Sequence, residues 1–550
     1  MKIKLETLLQ ELGSPGKYQV CIFLLLAFNY FPVVFNHIVM AFIGSPPSHQ
    51  CYDTQYEAAV LNNVSAHNTS VQIYDRIEYG QCSSQYFPDK ASNISVTINC
   101  DSSPSGGAWR FSIAESTIVS EWNLVCSQAY LSRLATTIYF VGVMIGGLLF
   151  GYLADKFGRK PVMLVTLFAP IAIGVLIALV KSYYIFVSLR FVQGIFIQGL
   201  QTTTYVMVME IFLPQYRGTA GAILECYWGV TVILMSGIAY LLPDWRHIQI
   251  AISVPSVLSV FYIWLVPESL RWLMMQDKIE QAKNVVKSVT KFNNLPFPSS
   301  TMDQLQHQIE AKGNAPGRQY VFYDLLRTRT LRKHSLILFY LWFSVCVGYY
   351  GLTFKITGLS GNKYLTFFIS GCVDMVAFIM IIFVIKRFGR RLPLLLYFAV
   401  GAVSCIISGA VPFGHYSSKI DLSKVATAFA IIGKFGMAGV FSIIFVYSSE
   451  LYPTVIRNIG MGSCAFWARL GGVVAPQILV LGDFTHKSVS IIMFGVISLI
   501  ATTLVLMLPE TVNRKLPDTI EDAESINAFK GDTGSTEENV ELNGGNVENI

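Results

Sequence analysis

Ionisable side chains inside long apolar runs need a reason, and three of them are candidates for function. Arg469 lies in Ala-Phe-Trp-Ala-Arg-Leu-Gly-Gly, Asp374 in Gly-Cys-Val-Asp-Met and Glu225 in Ile-Leu-Glu-Cys-Tyr-Trp. A charge at the centre of a membrane helix costs ~2.5–3.5 kcal/mol on insertion scales, so the ones retained face a cavity or a partner. The chemistry open to them is ionic recognition. Arg469 can hold a carboxylate, Asp374 can face an ammonium, and Glu225 can touch a solute or join charges near a helix end. The plainer alternative for each is an internal salt bridge. Bond-making chemistry has no such candidates. The sequence lacks His-Glu-x-x-His, Gly-x-Ser-x-Gly and a P-loop lysine motif, and no cysteine pair has metal-ligand spacing. We therefore expect no enzyme activity, no cofactor and no metal.

Polar and aromatic residues in other apolar runs could line the same space. They include Asn36, Gln198, Gln201, Tyr349, Tyr350 and Tyr447. Tyrosine faces attract organic ammonium groups. The competing role is helix–helix packing, in which amide side chains hydrogen-bond across interfaces.

The runs that carry these residues are membrane spans. Only 13% of the 550 residues are charged and 53% are hydrophobic, against roughly 25% charged in soluble chains. The net charge of +6 is mild and no basic run suits nucleic acid. Twelve apolar stretches are expected near 18–43, 133–154, 161–181, 183–206, 217–241, 246–266, 334–354, 364–386, 391–412, 422–448, 456–481 and 487–508. Each is near the ~20 residues that cross hydrocarbon. Leu5, Leu8, Leu9 and Leu12 are spaced as a short amphipathic helix, expected on the membrane surface.

Two polar inserts interrupt the spans. Residues 44–131 carry Cys51, Cys82, Cys100 and Cys126 and three acceptor sequons at Asn63, Asn68 and Asn93. Four cysteines allow two disulfides in three connectivities. Disulfides and glycans both place this loop outside the cell, with both termini in the cytoplasm. Residues 267–333 are rich in Lys and Arg with helical stretches, which suits a cytoplasmic insert. The expected organisation is an N-terminal six-helix bundle (1–266, including the 44–131 outer domain), the insert (267–333), a C-terminal six-helix bundle (334–512) and a disordered acidic tail (513–550).

The halves repeat. Asp155, Arg159 and Lys160 follow span 2, and Lys386, Arg390 and Arg391 follow span 8. Glu210 precedes Arg217 by seven residues, and Glu450 precedes Arg457 by seven. Pro267-Glu268-Ser follows span 6, and Pro509-Glu510-Thr follows span 12. The pairs are roughly 230–242 residues apart. Acids and bases in matched inner loops read as a gate: networks that close one face and release it, as two halves rock about a midplane site.

Gly151-Tyr-Leu-Ala-Asp-Lys-Phe-Gly-Arg-Lys160 resembles the signature loop of the major facilitator superfamily. With the Cys-rich outer loop, Ser116-Thr-Ile-Val-Ser-Glu-Trp-Asn-Leu-Val-Cys126, Pro267-Glu-Ser-Leu-Arg-Trp-Leu and Glu450-Leu-Tyr-Pro-Thr-Val-Ile-Arg-Asn458, the chain resembles the organic cation, anion and carnitine transporters of solute carrier family 22. The likeness runs from about residue 5 to about 520. One departure is Leu270, where the family usually has Pro. The resemblance implies an all-α membrane fold of two pseudo-symmetric six-helix bundles. It also implies transport of small organic ions at the plasma membrane. Cation-preferring relatives tend to carry an acid where Arg469 stands, while anion and carnitine transporters tend to carry Arg. At Asp374, cation and carnitine transporters tend to have an acid. An acid in span 8 with a base in span 11 thus implies a zwitterionic or anionic, carnitine-like solute between Asp374 and Arg469. The alternatives are an organic anion exchanger and a polyspecific organic cation transporter. Partners are the solute, membrane lipid and a coupling ion of open identity; oligomeric state is open too.

Overall fold

Where apolar residues run for more than about 18 positions, an α-helix satisfies every backbone group internally, so it is the structure that tolerates lipid. In a computed structural model, the described residues form twelve helices long and apolar enough to cross a membrane. They are Lys17–Ile43, Cys126–Phe157, Arg159–Leu179, Tyr183–Ile211, Pro214–Leu241, Trp245–Leu265, Arg329–Ile356, Lys363–Phe388, Arg391–Ala410, Leu422–Leu451, Arg457–Phe484 and Ser488–Val505, here called spans 1 to 12. The structure describes residues 2–53, 76–87, 96–100, 107–111, 115–311, 321–359, 361–411, 422–453, 455–512 and 520. The three sequons lie outside the described residues, as does nearly all of the acidic tail.

The spans form two bundles, 1–6 and 7–12. They meet chiefly where span 2 packs on span 11 and span 5 on span 8. Close packing inside the first bundle needs small residues. A Cβ on Gly146 of span 2 would fall 2.1 Å from the carbonyl oxygen of Ile195 on span 4, and one on Gly142 would fall 2.2 Å from that of Phe191. Only glycine permits this backbone approach.

The described residues of the first insert form five strands: β1 (His49–Asp53), β2 (Arg76–Tyr79), β3 (Ser83–Phe87), β4 (Val96–Asn99) and β5 (Gly107–Phe111). Antiparallel pairing gives a two-stranded sheet β1–β5 and a three-stranded sheet β2–β3–β4. Of the three connectivities, the structure has Cys51–Cys100 and Cys82–Cys126. The second ties the loop to the start of span 2. Glu121 fastens it further. It accepts from the Trp245 indole at 2.8 Å and pairs with both terminal nitrogens of Arg246, at 2.5 and 2.7 Å. This gives a physical task to the Ser-Glu-Trp stretch, which the sequence marked only by resemblance.

On the opposite side, which carries the N-terminus and the second insert, Lys2–Glu11 is helical. Leu8 and Leu12 are buried with Trp272, Leu273, Val286, Val289 and Leu305. This corrects the expectation of a helix lying on lipid: its apolar stripe is covered by the insert, chiefly by the helix Ser299–Ala311, with Val286 and Val289 of the amphipathic helix Ile279–Asn293 in the same cluster.

Candidate functional site

Mid-span charges fall into three groups. Arg469 and Glu225 form the first. Arg469 is the thirteenth residue of span 11 and is half-buried. It donates to the amide oxygen of Gln201 on span 4 at 3.3 Å, across the bundle interface. Among the described residues no carboxylate lies within ion-pair distance of it. Glu225, on span 5, is also half-buried and, among the described residues, has no base within that distance. Tyr30 of span 1 lies in the field of both charges, and Tyr205 in that of Glu225. Tyr139 and Tyr350 lie in that of Arg469. An acid and a base thus act on the same tyrosine, Tyr30, with no ion pair between them.

The second group is sealed. Asp374 of span 8 pairs with Lys434 of span 10 at 3.1 Å, both side chains 0% exposed. The Tyr349 hydroxyl donates to the same carboxylate oxygen at 2.9 Å and accepts from the Trp228 indole at 2.8 Å. Lys434 also donates to Ser370 Oγ at 2.5 Å. The third group is Arg190 of span 4, wholly buried. It donates to Gln193 at 2.8 Å and to the backbone oxygen of Asn36 at 3.1 Å. Its guanidinium lies 4.2 Å from the centroid of the Tyr139 ring.

On the side that carries the N-terminus and the second insert, the two bundles repeat one network. In the first, Arg159 pairs with Asp155 at 2.8 Å and Glu210 at 3.4 Å. Glu268 accepts the backbone N–H groups of Arg159 and Lys160, at 3.0 and 3.1 Å. Ser269 donates to Glu210, and Arg217 to the backbone of Phe212. In the second, Arg390 pairs with Glu450 at 2.9 Å, and Glu510 accepts from the backbones of Arg390 and Arg391, both at 3.0 Å. Thr511 donates to Glu450, and Arg457 to the backbone of Tyr452. Both turns need a positive φ, supplied by Gly158 (+112°) and Gly389 (+81°). Each carboxylate caps the first turn of the following span, where free N–H groups and the helix dipole favour an anion.

The bundles clasp on the side that carries the first insert. Glu115 accepts from Tyr364 at 2.8 Å and pairs with Lys363. Arg133 meets Asp483 at 3.8 Å, and Gln477 donates to Thr137 at 2.7 Å. Phe42 stacks on Tyr364 and packs edge-on against Phe367.

A family profile described as "Sugar (and other) transporter" spans residues 38–522. The chain is 32% identical to rat solute carrier family 22 member 3, over 94% of this chain and 95% of that one. It is 31% identical to the Drosophila melanogaster organic cation transporter protein, over 95% and 94%. Rat solute carrier family 22 member 7 is 30% identical over 94% and 98%. The chain belongs to solute carrier family 22 of the major facilitator superfamily. Its fold matches the inward open conformation of the Escherichia coli xylose transporter XylE with a TM-score of 0.63 at 16% identity, covering 92% of this chain and 99% of that one. This solute carrier is an organic ion transporter, not an enzyme.

Within the transporter, Arg469 and Gln201 meet across the bundle interface, and Glu225 acts with Arg469 on the same two tyrosines, Tyr30 and Tyr350. The structure places other expected ligands elsewhere. Asp374 and Tyr349 belong to the sealed Lys434 group, so Asp374 does not face a free solute site here. Asn36 holds Arg190. Gln198 donates to Thr202 on its own helix at 3.0 Å, and Tyr350 packs among Phe140, His37 and Phe354. Tyr447 sits at the inner end, donating to the backbone of Pro509 at 2.5 Å. The gate charges are also revised. Among the described residues their ion pairs stay within one bundle and none joins the bundles at the inner face. Lys434 and Arg190 were missed. The signal was present, since both are lone bases in apolar runs.

Proposed function

We propose that this transporter carries small organic solutes bearing a carboxylate, anionic or zwitterionic, across the plasma membrane by alternating access. The observation that carries the reading is Arg469: a half-buried base at mid-span, donating to the opposite bundle, with no acid within ion-pair distance among the described residues. A solute carboxylate would supply the missing counter-charge through a fork of charge-assisted hydrogen bonds. For a zwitterion, the ammonium would face Glu225, with the Tyr30 and Tyr205 rings nearby, rather than Asp374. A carnitine-like solute has the right charges for that arrangement. Two disulfides in the outer loop support an extracellular placement for it, and hence cytoplasmic termini. The inner charges act as staples that keep each bundle rigid while it rocks, and the outer clasp must open to admit solute from outside.

A polyspecific cation transporter is the second reading, favoured by Glu225, which has no base within ion-pair distance among the described residues. One uptake assay separates the two. Arg469→Ala should lower carboxylate uptake at least roughly thirtyfold, the equivalent of ~2 kcal/mol for hydrogen bonds to a charged group. Glu225→Gln should spare a plain monocarboxylate such as benzoate but weaken a zwitterion. Unchanged benzoate uptake in Arg469→Ala would remove the reading.

A further inference from the structure

The surroundings of Lys434 are those of a receptor for an ammonium ion. Its Nζ is 3.1 Å from the Asp374 carboxylate and 2.5 Å from the Ser370 hydroxyl. It also lies 5.2 Å from the centroid of the Tyr349 ring and 5.5 Å from that of Phe367. A carboxylate, a hydroxyl acceptor and two aromatic faces are how proteins bind an organic ammonium group. Spans 7 and 8 supply all four walls, and span 10 supplies the guest. Tyr349 is itself held by the Trp228 indole from the other bundle. The wall is therefore oriented by a contact that crosses the bundle interface.

We propose that Lys434 is a resident ammonium filling this cage, and that its presence denies the cage to solute cations. It is thus a determinant of charge selectivity. This deepens the proposed preference for carboxylate solutes and rests on it only in that selectivity clause; the cage itself is independent. With Lys434 seated, Asp374 is neutralised and no longer attracts a second cation. The only acid left on the inter-bundle space at mid-span, among the described residues, is Glu225. Removing the lysine would restore a carboxylate in an aromatic pocket with no counter-ion.

The test uses the fit of a missing fragment. Lys434→Ala deletes three methylenes and the ammonium, a piece with the heavy atoms of n-propylammonium. Purified full-length Lys434→Ala should melt below the wild type and regain its midpoint, dose-dependently, in millimolar n-propylammonium. n-Propanol should not do this. The wild type should not respond to either. Lys434→Met/Asp374→Asn keeps the volume and removes both charges; it should fold and ignore n-propylammonium. In cells, Lys434→Ala should gain uptake of tetramethylammonium, whose fixed charge blocks passive entry, at least about tenfold over the wild type. Equal stabilisation by propanol, rescue of the double variant or tetramethylammonium uptake by the wild type at the variant's rate would each overturn the proposal. If instead benzoate uptake proves indifferent to Arg469 while the rescue holds, the cage stands and the carboxylate reading falls.

Discussion

Glu510 and Glu268 allow a quantitative test of the repeated inner network. Glu510 accepts two N–H groups from the first turn of span 9, at Arg390 and Arg391, and two from its own loop, at Thr511 and Val512. Burial by itself pushes its carboxyl pKa up, but the four backbone donors outweigh it and hold the value below the usual range. Replacing a helix-capping side chain with Ala costs ~0.5–2 kcal/mol, and an anion on a helix N-terminus contributes ~0.3–1 kcal/mol more. Glu510→Ala should therefore cost about 2 kcal/mol. In a bundle of this size, at roughly 2–4 °C per kcal/mol, the melting midpoint should fall by ~4–8 °C. Glu510→Gln keeps an acceptor and loses the charge, so it should fall by about half as much. Glu268→Ala should behave alike, because it removes the same contacts from Arg159 and Lys160. The sign with pH follows. A carboxyl depressed in the folded state adds stability above its unfolded pKa of ~4.3 and loses it as pH falls through the folded value. The gap between wild type and Glu510→Gln should be full at pH 7 and shrink below about pH 4. Detergent-solubilised protein followed by intrinsic fluorescence gives both readouts. A Glu510→Ala midpoint within about 1 °C of wild type, or a gap that widens in acid, would refute the capping argument.

Other expectations are more local. Glu115→Gln weakens the outer clasp to Lys363 and Tyr364 and should shift the resting population toward outward opening by about 1 kcal/mol, roughly fivefold. Spin labels at exposed Gln128 and Thr485, on opposite sides of the clasp, should report a longer distance population. Gly146→Val would drive a side chain into the Ile195 carbonyl and should abolish folded protein on size exclusion. Gly237→Ala has nothing within 4 Å and should change stability by no more than ~0.5 kcal/mol. Replacing Cys51 and Cys100 with Ser opens a separation of 49 residues, worth ~4 kcal/mol by chain entropy. The outer loop should become protease-sensitive, while the melting of the spans stays near wild type.

Sequence legibility divided along physical lines. The spans were readable because lipid allows one solution for a long apolar run, and span 4 extends beyond its expected end at 206 by a further turn that carries Glu210, to Ile211. The repeated inner network was readable because both copies use the same residue types at the same offsets. What it does was not: acids and bases in register look the same whether they bridge two bundles or staple one. The five strands of the outer loop went unassigned, because disulfides rather than a long periodic core hold them.

The mid-span charges show where one-dimensional reading stops. A lone charge in an apolar run announces that it must be compensated, but the compensating atom is set by helix rotation and contact. Asp374 and Lys434 are 60 positions apart by their numbers, and nothing local links them. Arg469 resembles Lys434 in sequence, a lone base near the middle of a span. Yet one is sealed against a carboxylate and the other is half-open toward a neutral amide. That difference divides the charges into those that hold the fold and those that can hold a cargo. A base whose counter-charge is built in gains little from a solute anion, whereas a base left unneutralised gains most of its electrostatic stabilisation when one arrives. On this reasoning Arg469→Ala should leave the melting midpoint near wild type or raise it while removing carboxylate binding, and Lys434→Ala should lower the midpoint with or without a carboxylate solute. Midpoints that move the same way in the two variants would mean that the division is wrong.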